Sequence, residues 1–210
     1  MLSVGGTRLA SSSGVILSET TWNDGPGSAT GGGVSRLFSE PQYQHTVAVP
    51  TSVNPGHRHG RGVPDVSAVG DPDTGYNIMG PQGELTGPIG GTSASAPLWA
   101  GLVARLSQAL GVRLGYFNPI LYRFLATGVL RDIVSGDNFS YSAGVGYDAC
   151  TGLGSPDGTR LLLALQQLSL QPPAHILAAP AAAPAAGCAE IAVQAKRLLE
   201  ALCKTGITIS

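Results

Sequence analysis

Charge is what this chain has least of: Asp, Glu, Lys and Arg together make up 12% of its 210 residues, and lysine is absent before Lys196. With a formal net charge of −1, it offers nothing that would draw nucleic acid or an anionic membrane surface, so neither is expected as a partner. So few carboxylates also suit a protein working in acid, because neutralising them leaves little positive-charge repulsion beyond that of the arginines. Cysteine is scarce as well. The count of three (Cys150, Cys188, Cys203) is odd, and two lie in a tail of different composition, so neither a disulfide framework nor a zinc site follows. Cys150 stands among small residues and reads as a buried, unreactive thiol. No stretch is long and apolar enough to span a bilayer, and Met1-Leu2-Ser3-Val4 lacks the basic start and apolar run of an export signal. Histidines are few too: His57 and His59 share a Pro/Gly-rich stretch with no third ligand spaced to join them, which predicts a solvated loop.

What is present is a hydrophobic content of 43% and thirty glycines, enough apolar volume for one core and a chain of tight turns rather than a helical bundle. Leu2–Val4 and Thr7–Leu9 read as two short strands or one strand broken at Gly5-Gly6. Ser11 to Pro64 reads as loops and short strands, and Val63–Val69 as a buried strand. Asp71–Gly75 predicts a turn into Tyr76–Met79. Leu98, Leu102, Leu106 and Leu110 recur at helical spacing up to Gly111. A second helix is predicted after Asn118, with Pro119 in its first turn and an end near Leu125. Asp132 to Gly154 reads as a glycine-rich loop, and Pro156–Leu168 as a closing helix. The composition then divides the chain into a domain at 1–168, a Pro/Ala-rich linker at 169–187 and a tail at 188–210. In that tail Ile191, Ala195, Leu198 and Leu202 share one helical face.

Chemistry concentrates at Gly90-Gly91-Thr92-Ser93-Ala94-Ser95-Ala96-Pro97, which runs into Leu98-Trp99-Ala100-Gly101. This puts a serine where a loop becomes an apolar helix. There the unpaired first-turn N–H groups and the positive dipole end would stabilise negative charge on a substrate oxygen beside Ser93. The competing reading makes Thr92 and Ser93 ordinary helix caps.

This segment resembles the nucleophile motif Gly-Thr-Ser-x-x-x-Pro of the sedolisins, the serine-carboxyl peptidases. Further segments that look like this family come in its order: Val4-Gly5-Gly6-Thr7, Glu19 to Gly25, Gly31 to Ser35 and Arg61 to Ser67 before Ser93, then Asp132-Ile133 and Gly144 to Gly154 after it. The resemblance covers the start to about Leu165. It implies a subtilisin-like α/β domain with a mainly parallel sheet and flanking helices, of which this chain holds the C-terminal part. It also implies a serine endopeptidase that cleaves polypeptides through an acyl-enzyme on Ser93, with a location typically secreted or lysosomal.

In that family a glutamate is the base, an aspartate one helical turn away orients it, and a second, protonated aspartate donates to the oxyanion; all three precede the segment matched by Val4–Thr7. None of the thirteen acids here matches those roles, and Asp65 lies in a Val-Pro-Asp-Val context that reads as structural. The expectation is therefore a fragment, a mis-started reading frame or one piece of a split gene, inactive alone, whose partner is the missing N-terminal half or a propeptide. The resemblance further implies one Ca²⁺ held by Asp132, Ile133, Gly144, Gly146 and Asp148, the oxygen-rich loop this ion prefers. Two rival readings remain: half of a subtilisin-type Ser-His-Asp protease, and a non-catalytic, calcium-stabilised binding or structural fragment. Against the first, Ala94-Ser95-Ala96-Pro97-Leu98 follows the serine where subtilisins commonly have Met-Ala-x-Pro-His.

Overall fold

The computed structural model describes residues 1–170, which form one compact unit, Met1–Leu170. The linker expected from residue 169 begins inside the helix Gly158–Leu170, and its remainder and the tail expected at 188–210 lie outside the described residues.

The central strand β1 (Val4–Ser12) passes unbroken through Gly5-Gly6. Its first half pairs in parallel with β5 (Val66–Val69), from Val4↔Val66 to Thr7↔Val69. Its second half pairs antiparallel with β2 (Val15–Thr21) through a tight turn, Ser13 at φ 50° and Gly14 at φ 78°. Two positive φ values match a hairpin turn whose twist suits the flanking strands. The glycines serve close packing: a Cβ on Gly6 would lie 2.8 Å from the Trp22 ring, and one on Gly5 2.9 Å from the Cys150 carbonyl.

Smaller antiparallel ladders join β3 (Gly33–Val34) to β4 (Gly62–Val63), β6 (Tyr76–Met79) to β7 (Leu85–Ile89), and β8 (Leu130–Arg131) to β9 (Ser155–Pro156). The sheet is thus mixed, its parallel ladder among the described residues being β1–β5. The stretch read as one strand over Val63–Val69 divides into β4 and β5. The turn after β5 is a short 3₁₀ segment, Pro72–Thr74, capped by the Asp71 side chain accepting from Asp73 N–H.

Among the described residues three helices flank the sheet: α1 (Thr92–Leu110), α2 (Asn118–Tyr122) and α3 (Gly158–Leu170). Helix α1 stops at Gly111, a left-handed cap at φ 67°. Its buried face is Ser95, Trp99 and Leu106, while Leu98 is 37% exposed. Leu102 and Leu110 pack partly buried against the core beside Leu106, as their helical spacing predicts, and of the leucine series only Leu98 gives way, to Trp99, which presents a larger apolar surface and also carries a hydrogen-bond donor. Around Trp99 the core gathers Val66, Leu106, Leu121, Leu153 and Leu161. No described helix is long and apolar enough to cross a membrane.

Candidate functional site

The N-cap of α1 is Gly91, at φ 89° and ψ 157°, and no side chain caps the helix. The cap reading of Thr92 and Ser93 therefore fails: both lie inside the first turn, where N–H groups lack an intrahelical partner. Gly91 N–H donates to the Gly70 carbonyl, and a Cβ on Gly90 would meet Pro72 N at 2.5 Å, so the loop before Ser93 is pressed against the turn after β5.

Two side chains one helical turn apart fix how α1 is rotated. Ser95 Oγ donates to the Val69 carbonyl at 2.8 Å, and Trp99 Nε1 to the Ser67 carbonyl at 2.8 Å. Both bonds reach carbonyls of β5, an edge strand of its sheet among the described residues, and the Val69 carbonyl also accepts from Tyr76 OH at 2.9 Å. With Ser95 turned toward β5, Ser93 lies about 200° away around the axis and is exposed. Its hydroxyl makes no hydrogen bond among the described residues. No carboxylate or imidazole is bonded to it among the described residues. Sequence reasoning missed the anchoring role of Ser95 and Trp99; the signal was a polar pair at i, i+4 on an otherwise apolar face.

The acids near this corner are held elsewhere. Asp24, Asp71 and Asp73 bring carboxylate oxygens within 4.8 Å of one another, a spacing that could hold a metal. Arg8 supplies the positive charge instead: it pairs with Asp71, with Asp73 at 2.9 Å and with Asp24 at 3.3 Å. Asp71 is fully buried, so this guanidinium is what makes its charge tolerable. Trp22 Nε1 donates to Asp24 at 2.7 Å, tying the Trp-Asn-Asp-Gly segment into the same corner. Asp65 is also fully buried, accepting from Ser3 N–H at 2.7 Å, Arg61 at 2.6 Å and Tyr122 OH at 3.1 Å. So engaged, it is a structural hub, as its sequence context suggested. His57 Nδ1 lies 3.1 Å from the Ser52 carbonyl within its loop.

The late loop brings the five expected calcium-binding residues together in part. Gly146 N–H donates to Asp132 Oδ2 at 2.8 Å, and Gly144 N–H to Asp148 Oδ2 at 3.2 Å. Asp148 also accepts from the N–H groups of Cys150 at 2.9 Å and Thr151 at 2.8 Å. Burial raises the Asp148 carboxyl above its ordinary range despite these bonds. The Ile133 side chain is 1% exposed and belongs to the core, so its part in any ion site would fall to its backbone. The loop is fastened to the rest of the domain where Thr21 N–H donates to the Ser135 carbonyl at 2.9 Å and Asn23 donates to Asp137 at 3.0 Å.

Cys150, fully buried, donates its thiol to the Tyr141 carbonyl at 2.9 Å, and burial pushes its pKa up to about 12. The neutral thiol is therefore the form present through neutral and mildly alkaline pH, and a thiol is not a nucleophile until it ionises. Iodoacetamide at pH 8 should leave Cys150 unmodified in the folded protein and alkylate it in denaturant, read by peptide mass spectrometry. Alkylation at equal rates in both would contradict its burial.

No protein-family model matches the chain. It is 55% identical to kumamolisin of Bacillus sp. (strain MN-32) over 172 residues, which cover 79% of this chain and 31% of that protein. It is 38% identical to sedolisin of Pseudomonas sp. (strain 101) over 173 residues, covering 77% of this chain and 28% of that one. Tripeptidyl-peptidase sed5 of Aspergillus fumigatus is 39% identical over 163 residues, covering 69% of this chain and 27% of that protein. The chain thus spans less than a third of the curated relatives it matches. A solved structure of Pseudomonas sedolisin, a serine-carboxyl proteinase complexed with two molecules of pseudo-iodotyrostatin, superposes with a TM-score of 0.70 at 35% identity, covering 80% of this chain and 46% of that one.

Proposed function

The chain belongs to the sedolisin family, with that family's subtilisin-like α/β fold in part, and on that premise we propose that it carries the nucleophile of a serine-carboxyl endopeptidase. Ser93 is that nucleophile, and polypeptides are the substrate. The observation that carries this reading is the exposed, unbonded Ser93 in the first turn of α1. Attack by its oxygen on a peptide carbonyl would break the C–N bond, release the C-terminal portion as an amine that takes up the proton the hydroxyl gives up, and leave an acyl-enzyme, with the developing oxyanion beside the positive end of the helix.

A hydroxyl needs a base, and Asp24, Asp71 and Asp73, the acids gathered at the turn against which the loop before Ser93 is pressed, are committed to Arg8. The base, its orienting aspartate and the oxyanion donor come from polypeptide beyond these 210 residues, whether joined to this chain or separate. All three roles then fall to carboxyl groups, one of them acting only while protonated, which places the activity in acid. By itself the chain is inactive. The test is peptide hydrolysis at pH 4 by the chain alone and by a chimera joining it to the preceding portion of kumamolisin. Hydrolysis by the chimera alone is the expected result. A chimera that folds and does not cleave would defeat the reading and favour a non-catalytic binding or structural piece.

The late loop is proposed to hold one calcium ion through Asp132 and Asp148 and the backbone carbonyls of Ile133, Gly144 and Gly146. The donor set is all oxygen, as a hard cation requires, and the buried Asp148 carboxylate is the charge such an ion would compensate. The ion's contribution there is structural: positive charge that fastens the loop. At a calcium concentration a hundredfold above Kd the folded state gains about 2.7 kcal/mol. Thermal melts of the chain should rise with calcium and return with chelator, and Asp132→Ala should lose most of the effect. Melts that ignore calcium would contradict the site.

A further inference from the structure

A second cavity chemistry lies away from Ser93. A cavity of about 700 Å³ opens between the 3₁₀ turn Gln42–Gln44 and α2, with Pro41, Tyr43, Tyr116, Tyr122, Arg123 and Leu125 among its walls. The volume is that of a small-molecule site. Ser93 is not among the residues around it.

Three aromatic rings shape the walls. Tyr43 meets Tyr116 edge-on at 6.0 Å between centroids and Tyr122 at 4.9 Å. Tyr122 is held from behind, accepting from Gln44 at 2.6 Å and donating to Asp65 at 3.1 Å, so its ring is a fixed surface. The polar groups of the lining, the Gln42 amide, the Thr46 hydroxyl and the Tyr43 and Tyr116 phenols, can each donate to an anion, and Arg123 adds the positive charge. Burial and the nearby Asp65 raise the Tyr43 phenol, which keeps it protonated, and Tyr116 stands at 61% exposure. Arg123 is the one charged side chain of the lining, exposed and without an ion pair or side-chain hydrogen bond among the described residues. The Asp65 charge behind the rings is already matched by Arg61 at 2.6 Å.

We infer that this cavity binds a small planar aromatic molecule bearing a single carboxylate, its ring against Tyr43, Tyr116 and Tyr122 and its carboxylate on Arg123. Aromatic faces pack a planar ring in offset or edge geometry, and one guanidinium beside neutral phenols matches one negative charge rather than two. The site is independent of the peptidase reading, since it uses neither Ser93 nor the late loop.

Titration calorimetry of the 210-residue chain with 2-naphthoate and with its neutral counterpart 2-naphthalenemethanol tests this. Naphthoate should bind saturably and about fivefold tighter than the alcohol. Arg123→Gln should erase that difference while leaving the alcohol's affinity in place, and Tyr116→Ala should weaken both. No saturable binding, equal affinities in the unaltered chain, or an equal loss on replacing Arg36, an exposed arginine outside the lining, would overturn the inference. Circular dichroism of each variant keeps loss of folding separate from loss of binding.

Discussion

Ser93→Ala in the chimera with kumamolisin's preceding portion should lower peptide hydrolysis by roughly 10⁴-fold or more while leaving the melting temperature within a degree or two. Two physical facts set that combination. The hydroxyl is exposed and bonded to nothing among the described residues, so removing it leaves no buried partner unsatisfied and opens no cavity. On the proposed reading the acyl group forms on this oxygen, so its removal takes away the covalent step. Thr92→Ala, one residue earlier in the same turn, is the control; it should keep most of the activity, because Thr92 is partly buried and faces the Gly6 backbone. A Ser93→Ala chimera that still cleaves at the parent rate would remove the nucleophile from this chain.

Trp99→Ala should have the largest effect on stability, about 3–5 kcal/mol, enough to unfold the domain in mild denaturant. Trp99 is 1% exposed, sits at the centre of the core cluster and donates to the Ser67 carbonyl. Truncation leaves a large cavity and strips that carbonyl of its partner. Because the Ser67 bond also sets the rotation of α1, Trp99→Phe is the informative companion. It keeps most of the aromatic volume and loses the donor together with the smaller part of the indole, so its cost should be about 1–2 kcal/mol, well below that of alanine. Urea midpoints compare the three proteins; equal midpoints for parent and alanine variant would contradict the packing described here.

How far the residues alone could be read follows from where the information lies. The end of α1 at Gly111 was legible because a left-handed cap needs glycine, and the Asp71–Gly75 turn because aspartate and proline have local reasons to be there. The serine corner was legible from the glycines and the proline that bracket it. The β1–β2 hairpin was not foreseen: Ser13-Gly14 is a weaker turn signal than Asn-Gly, and the serines before it blur the alternation of the strand. The apolar face of α1 was legible over Leu102, Leu106 and Leu110 but not at Leu98, where a four-residue repeat drifts around a 3.6-residue helix and where Ser95 and Trp99 are fixed by long-range bonds to β5 that spacing cannot reveal. Arg8 gathering Asp24, Asp71 and Asp73 is equally invisible in one dimension, since its partners come from two segments brought together by the fold. The calcium donors came from the family pattern; a Gly-x-Gly-x-Asp run by itself reads as a turn.

The account stands on Ser93 as the atom that takes the acyl group. Acid-quenching the chimera during turnover of an activated peptide ester, then digesting and sequencing by mass spectrometry, reads this directly. The account predicts the acyl mass on the peptide that contains Ser93, and its absence from the Ser93→Ala chimera. Turnover with the acyl group on another residue, or with no acylated peptide trapped under conditions where deacylation limits the rate, would contradict it.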